Sequence, residues 1–240
     1  MDDYYAQLNG LAHQALFVSD RGFDVRPYFI AARKFDYEYF CFLNSYSVLL
    51  DADWLSKMHQ HVAQRNVGLV GATSSYESHY SNASSGMNRG TVPFSIKQIL
   101  KNYLIRRQVK KYELNFDPFP NYHIRTNAFM LSRKLMLGLK IGAIRSKMDA
   151  FKFESGKKGL TCQILALGLK ALVVGRDGKA YEKDRWYESH TFRSGDQRNL
   201  LIADNQTRQY LMSDVHRRKA LSEDTWGKQP GQEQSGCIVG

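Results

Sequence analysis

The stretch YFCFLNSYSVLLDADW, residues 39–54, decides the reading of the fold. Residues 37–43 are aromatic-rich and read as a strand. Asn44, Ser45, Tyr46 and Ser47 form a short polar knot after it. Asp51 or Asp53 then caps a helix with Trp54, Leu55, Met58 and Val62 at helical spacing. On the N-terminal side, ALFVS (15–19) reads as a short buried strand leaving into Asp20, Arg21 and Gly22. Asp24 N-caps a helix running to about Lys34, and VGLVGA (67–72) is a further buried strand. Strand–helix–strand repetition at this spacing predicts crossover units and a largely parallel sheet, an α/β class.

Further along, residues 73–91 are rich in Ser, Asn, Gly and Tyr and read as a long loop of the binding or lid type. Ile96, Ile99, Leu100, Tyr103 and Leu104 share one helical face, on which Arg107, Lys110 and Lys111 also fall. That mixture predicts a surface helix with a basic end rather than an in-plane membrane helix, the basic end being able to touch anionic headgroups. NAFML (127–131) reads as a core strand followed by a helix from near Ser132. Residues 160–169 are helical in pattern, with Gly168 near the end, and KALVVG (170–175) is a last buried strand. Residues 200–221 form a helix or arm, and the Gly/Gln/Ser/Pro tail reads as disordered. The organisation expected is one domain over 1–227, with 73–120 a loop and basic-helix insertion, 176–227 a C-terminal lid or arm, and 228–240 a tail.

A chain of 240 residues, 43% hydrophobic and 24% charged, is long enough for one such domain with a substantial core. It has no apolar run of about eighteen residues, so no transmembrane helix is expected. The start MDDYYAQLNG lacks the apolar region of a secretory signal. Cys41, Cys162 and Cys237 lack metal-ligand spacing and give no paired framework, which suits a reducing, cytoplasmic compartment. The formal charge of +11 favours polyanionic partners (nucleic acid, anionic lipid surfaces or phosphorylated small molecules) or is simply a soluble basic surface. Nucleic acid is disfavoured by the lack of a helix-turn-helix, RNA-recognition or zinc motif. No P-loop, Ser-His-Asp spacing or Cys/His zinc pattern is present. Asn82 and Asn205 head glycosylation sequons that matter only in a secreted protein, and the closing CIVG reads as a chance outline of a prenylation box.

DRGFD (20–24), FLNSYS (42–47), VGLVGAT (67–73) and FESG (153–156), followed by a helix and GLKALVVG (168–175), occur in this order. In that order the chain resembles the inverting family-2-type glycosyltransferases of the GT-A fold and their rhamnan-synthesis-type relatives, over roughly residues 17–175. The resemblance implies a GT-A-like three-layer α/β/α fold with a mostly parallel, Rossmann-like sheet. It also implies that the first strand–helix–strand unit is missing at the N-terminus. A cytoplasmic hexosyltransferase is expected, lying peripherally at the inner membrane of a bacterium and acting in surface-polysaccharide biosynthesis. Its expected partners are a nucleotide-sugar donor and a glycan or lipid-linked acceptor, with a peripheral contact to anionic membrane.

The same resemblance assigns candidate residues. Asp20, Arg21, Gly22 and Asp24 match the loop that contacts the donor: Gly22 permits close backbone approach, Arg21 can pair with a diphosphate, and Asp24 caps a helix facing an anion. An ordinary turn before a capped helix is the alternative. Asn44, Ser45 and Tyr46 match the Asp-x-Asp position, where carboxylates hold a divalent cation. With Asn and Ser there, the options are a weak Mg2+ or Mn2+ site, a metal-free site using basic residues, or a lost activity. No metal-ligating residue is assigned, and no cofactor is firmly implied. Glu154 matches the family's general base, with Ser155 where a second acid often stands and Asp149 as the runner-up; a surface glutamate at a helix start is the alternative. His123, Arg125 and Asn127 would share one face of an extended segment, with Tyr122, Ile124 and Thr126 on the other, a polar wall for an acceptor. Trp186 and Arg193 sit in an aromatic, polar segment that reads as an acceptor lid or as an exposed loop. A non-catalytic module binding nucleotide or glycan is the alternative function.

Overall fold

The computed structural model describes residue 10 and residues 12–19, 21–85 and 96–228, with backbone alone for 96–98. Its centre is a five-stranded sheet built from β1 (Tyr39–Leu43), β3 (Val67–Gly71), β6 (Ala128–Ser132), β7 (Lys170–Val174) and β8 (Ala180–Tyr181), in the order β1-β6-β3-β7-β8. Three of these strands come from the strand–helix repeats of the sequence. β1, β3 and β7 all run in one direction, and β3 pairs with β7 in parallel. The sheet as a whole is mixed, not mostly parallel. β6 enters antiparallel between β1 and β3, with Met130 opposite both Cys41 and Val70, and β8 closes antiparallel on β7. Two-stranded ribbons flank it: β2 (Val48–Leu49) with β9 (Ile202–Ala203), and β4 (Ser74–Ser75) with β5 (His123–Ile124).

Strand alternation sorts the core into two layers. On one face Phe42 from β1 and Phe129 and Leu131 from β6 pack against α1 (Val25–Lys34), α5 (Arg133–Gly138), α6 (Lys147–Ser155) and α7 (Leu160–Ala166). Phe29 of α1 meets Phe153 of α6 edge-on at 5.8 Å, and Tyr28 lies 4.6 Å from the Phe42 ring. On the other face Met130, Val70 and Leu172 pack with Met58 and Val62 of α2 (Trp54–Val62) and with Leu201 and Ile202. Helices thus cover one face and a helix with a ribbon the other, the layered α/β arrangement.

α3 (His79–Ser85) and α4 (Ile96–Asn115) lie inside the segment expected as a loop and basic helix; the stretch 86–91 lies outside the described residues. α8 (Asn205–Met212) and α9 (Val215–Trp226) take the place of the expected arm. Residues 176–227 are not draped over the core as a lid, because Trp186, Phe192, Leu201, Ile202 and Trp226 are part of it. Residues 15–19 were expected to form a buried strand; they form no ladder, and Phe17 is 76% exposed. An isolated extended segment cannot pair its backbone, and no described strand pairs with it. The expected tail lies outside the described residues from 229 onward.

Gly71 ends β3 where Ile124 crosses it: a Cβ there would fall inside the contact radius of Ile124 Cγ2. Gly71→Ala is therefore expected to cost about 1–3 kcal/mol, as overpacking does. Urea unfolding checks this, and a midpoint equal to that of the native chain would show that β5 yields freely.

Candidate functional site

α6 is set by its ends. Ser146 Oγ accepts the Asp149 N–H while Asp149 accepts the Ser146 N–H, a capping box, and the helix stops at Gly156. Glu154 therefore sits in the last turn, not at a helix start. A carboxylate there opposes the helix dipole. It is held instead by Thr126, whose backbone N–H and side-chain hydroxyl both donate to Oε2, at 2.7 and 2.5 Å. Oε1 has no hydrogen-bond partner among the described residues, and Glu154 is half-buried.

Thr126 belongs to the crossing from β5 to β6, at the end of the sheet where β1 finishes. Asn44 N–H donates to Asn127 O at 2.9 Å, and Arg125 N–H to Thr73 O at 3.1 Å. Three titratable side chains feel the Glu154 charge. Tyr28 is raised well above the usual phenol range, by burial first and then by Asp24 and Glu154. His123 and His79 are lowered by burial, which the Glu154 charge opposes. His123 Nδ1 donates to Asn121 O at 2.8 Å, which places the proton on Nδ1 in the neutral ring.

Beneath this lies a buried polar network. Arg125 pairs with Asp204 at 2.7 Å and lies over the Phe192 ring at 4.0 Å. Arg125 also donates to Thr73 Oγ1, which donates to Asn127 Oδ1 at 2.8 Å. Tyr28 Oη, Ser74 Oγ, Asn127 Nδ2 and Arg193 Nε are buried without a hydrogen-bond partner among the described residues. Such groups are costly to leave unpaired, and Ser74 and Asn127 adjoin Thr73 and Thr126 in the chain.

The polar knot is closed upon itself. Asn44 Oδ1 accepts from Tyr46 N–H at 3.0 Å and from Ser47 Oγ at 3.1 Å, an Asx turn. The expectation of Asn44 as a donor-binding or weak metal-binding side chain is corrected to this extent, since its oxygen is already occupied; Ser45 and Tyr46 are exposed. Asp51 pairs with Lys57 and Arg176 and accepts the Asp53 N–H, so it braces the start of α2, whereas Asp53 makes no side-chain cap.

Arg21 and Gly22 line a groove of about 870 Å³ between α1 and residues 141–145. Arg26, Arg33 and Arg145 line it too, and among the described residues no carboxylate does. Gly22 adopts φ +90°, and a Cβ there would press on Arg26. Gly22→Ala should cost about 1 kcal/mol or more and loosen Arg26 from Ser19; denaturant unfolding measures the first. Asp24 holds the N-cap position of α1 but makes no cap hydrogen bond. Loss of hydration on its protein side raises its pKa, although the residue as a whole is exposed. Asp20 lies outside the described residues.

Other expected site residues are drawn inward. Asp149, in its capping box and paired with Lys152, is held down to about 2, chiefly by its hydrogen bond with Ser146, and is thereby a poor base. Trp186 is 0% exposed and donates to Tyr181 O, so it cannot face an acceptor. Arg193 is tied to Glu77, Thr225 and Gln206. The expected polar wall is likewise split: Arg125 and Asn127 enter the buried network, while Thr126, assigned to the opposite face, carries Glu154. Thr126, Tyr28 and Thr73 were given no site role by sequence reasoning. Their only signal was proximity to quoted motifs.

The chain matches no protein-family model, no curated protein and no solved structure in comparisons with all three. Among the described residues no helix is long and apolar enough to cross a membrane.

Proposed function

We propose that this chain is an inverting glycosyltransferase acting on a nucleotide-sugar donor and a glycan or lipid-linked acceptor, with Glu154 as general base. The observation that carries the reading is the Glu154 carboxylate, anchored through one oxygen by Thr126, its other oxygen without a hydrogen-bond partner among the described residues, at the sheet end where β1 finishes. In this reading Oε1 takes the proton of the acceptor hydroxyl as its oxygen attacks the anomeric carbon, and the nucleoside diphosphate departs. The arginine groove bearing Arg21 supplies positive charge for the phosphates, in planar forks suited to their oxygens. A metal-independent reaction fits the closed turn at Asn44.

That closed turn also favours the second reading, a module that binds nucleotide or glycan without catalysis. Calorimetric titration with a panel of nucleotide sugars, with and without manganese, followed by a nucleoside-diphosphate release assay, separates the two. Binding with release supports the transferase, binding without transfer or hydrolysis supports the module, and no binding in either condition sinks both.

A further inference from the structure

We infer that the outer face of α4 is a docking surface for an anionic lipid bilayer. The helix has two faces of opposite use. Its inner face carries Ile105, Val109, Tyr112 and Phe116; Phe116 is fully buried, and both Tyr112 and Phe116 pack on His79 of α3. The outer face is bipartite. In its first half Ile99, Leu100, Tyr103 and Leu104 are exposed by 57, 59, 61 and 54%. In its second half Arg107, Lys110 and Lys111 follow on the same side, with Leu114 exposed between them and the helix end.

Charge complementarity selects the occupant. Along Ile96–Asn115 the only acid is Glu113, against Lys97, Lys101, Arg106, Arg107, Lys110 and Lys111. From residue 101 onward none of these cations forms an ion pair among the described residues. The basic half continues beyond the helix. Leu114 and Asn115 line a cavity of about 420 Å³ with Lys140, Lys152, Lys157 and Lys158, against one carboxylate, Asp149, which pairs with Lys152, and Lys157 N–H donates to Asn115 O at 2.8 Å. The helix is about 30 Å long, and its apolar and basic parts follow one another along its length rather than on opposite faces, so it meets the bilayer tilted, first half deeper than second. Its apolar half enters the acyl boundary, and its basic half and the lysine cavity meet phosphate headgroups. A second protein copy carries the same positive field and would be repelled from the basic half.

The test uses the full chain with phosphatidylcholine vesicles, with or without phosphatidylglycerol, read by co-sedimentation at low and high salt. Binding is expected only to the anionic vesicles and should weaken with salt. The triple variant R107E/K110E/K111E should lower partitioning by about a hundredfold or more, each cation near such a surface being worth about fivefold. The variant L100N/Y103N/L104N should lower it while leaving the salt dependence in place. Lys111→Gln and Leu104→Ser, milder changes at exposed positions, give the same directions should a triple variant fold poorly. Equal binding to neutral vesicles, or native binding by the charge variants, overturns the proposal. So does a lipid-free dimer that the apolar variant dissolves, which would make the face a self-association surface. Vesicle binding requires no turnover, so its failure leaves the Glu154 reading standing, and the reverse holds.

Discussion

Glu154→Gln is expected to lower transferase turnover by about a thousandfold, within the 10²–10⁴ range of a general base, while donor affinity changes by no more than about twofold. The amide keeps the shape and still accepts from Thr126, but it cannot take a proton from an acceptor hydroxyl. A thousandfold loss corresponds to about 4 kcal/mol of transition-state stabilisation. Thr126 is the positioning residue, because both its donors reach one oxygen of Glu154. Thr126→Val should therefore lower turnover by about tenfold, with Thr126→Ser restoring it, since Ser returns the hydroxyl and Val does not. Steady-state kinetics on the three variants decides the matter. Turnover of Glu154→Gln within tenfold of the native chain removes Glu154 from the role of base, and failure of Ser to rescue removes Thr126 from its own.

Asp204→Ala is expected to destabilise the fold by about 3–5 kcal/mol, because it leaves the Arg125 guanidinium buried without its counter-charge. The loss includes the cap of α8, where Asp204 Oδ1 accepts the Thr207 N–H at 2.8 Å. The double change Arg125→Met with Asp204→Leu should cost less than the sum of the two singles by about 2 kcal/mol, since no lone charge remains. Urea unfolding of the four proteins closes the cycle, and additive costs would show that the pair is not coupled.

The same groups set the acid limb of stability. His123 is lowered from 6.5 by burial, so below pH 6.5 the unfolded chain binds a proton that the folded chain refuses. Stability should fall there by about 1.4 kcal/mol per pH unit until the folded-state pKa is passed. Burial pushes Asp204 up, but the Arg125 charge and the Thr207 bonds outweigh it and hold the carboxyl below 3.8. Its contribution is thus fully present above pH 3.8 and is lost as the pH falls through the folded value. His123→Asn should remove its share of the first loss, leaving that of His79, which burial also lowers, and leaving the second. An unchanged slope between pH 6.5 and 4 in that variant would assign the first loss to another group.

Much of the scaffold was legible before any coordinates. The alternation of apolar runs with helical spacing placed β1, α1, α2, β3, β6 and β7 close to their observed bounds, because burial on a strand or a helix face leaves a period in the sequence. Glu154 was singled out as the candidate base through its place in the order of motifs. The reach of Thr126 to it across 28 residues was not legible, since nothing local in either segment announces the contact. Asp149 stood as the runner-up to Glu154. The capping box with Ser146 is what separates them, the two lying at opposite ends of α6.

Trp186 shows the complementary failure. Its neighbours Lys183, Asp184, Arg185 and Glu188 are charged, and the segment reads as an exposed lid. The indole is nevertheless fully buried, because Tyr181 O satisfies its N–H inside the core and a short 3-10 turn keeps the charges outside. The direction of β6 is a third case: hydrophobic periodicity records how deeply a strand is buried and carries no information on which way its partners run.

What the sequence determined by itself is therefore the main elements β1, α1, α2, β3, β6 and β7, the layered α/β class, the basic net charge and the presence of an acid after β6. What only the tertiary structure decided is the mixed order of the sheet, the closure of Asn44 into its own turn, the burial of Arg125 against Asp204 and the anchoring of Glu154 by Thr126. The physical reason is one of range. Periodicity and capping act over a few residues and are written locally, whereas pairing direction and charge neutralisation join residues far apart in the chain, and only folding brings those within hydrogen-bonding distance.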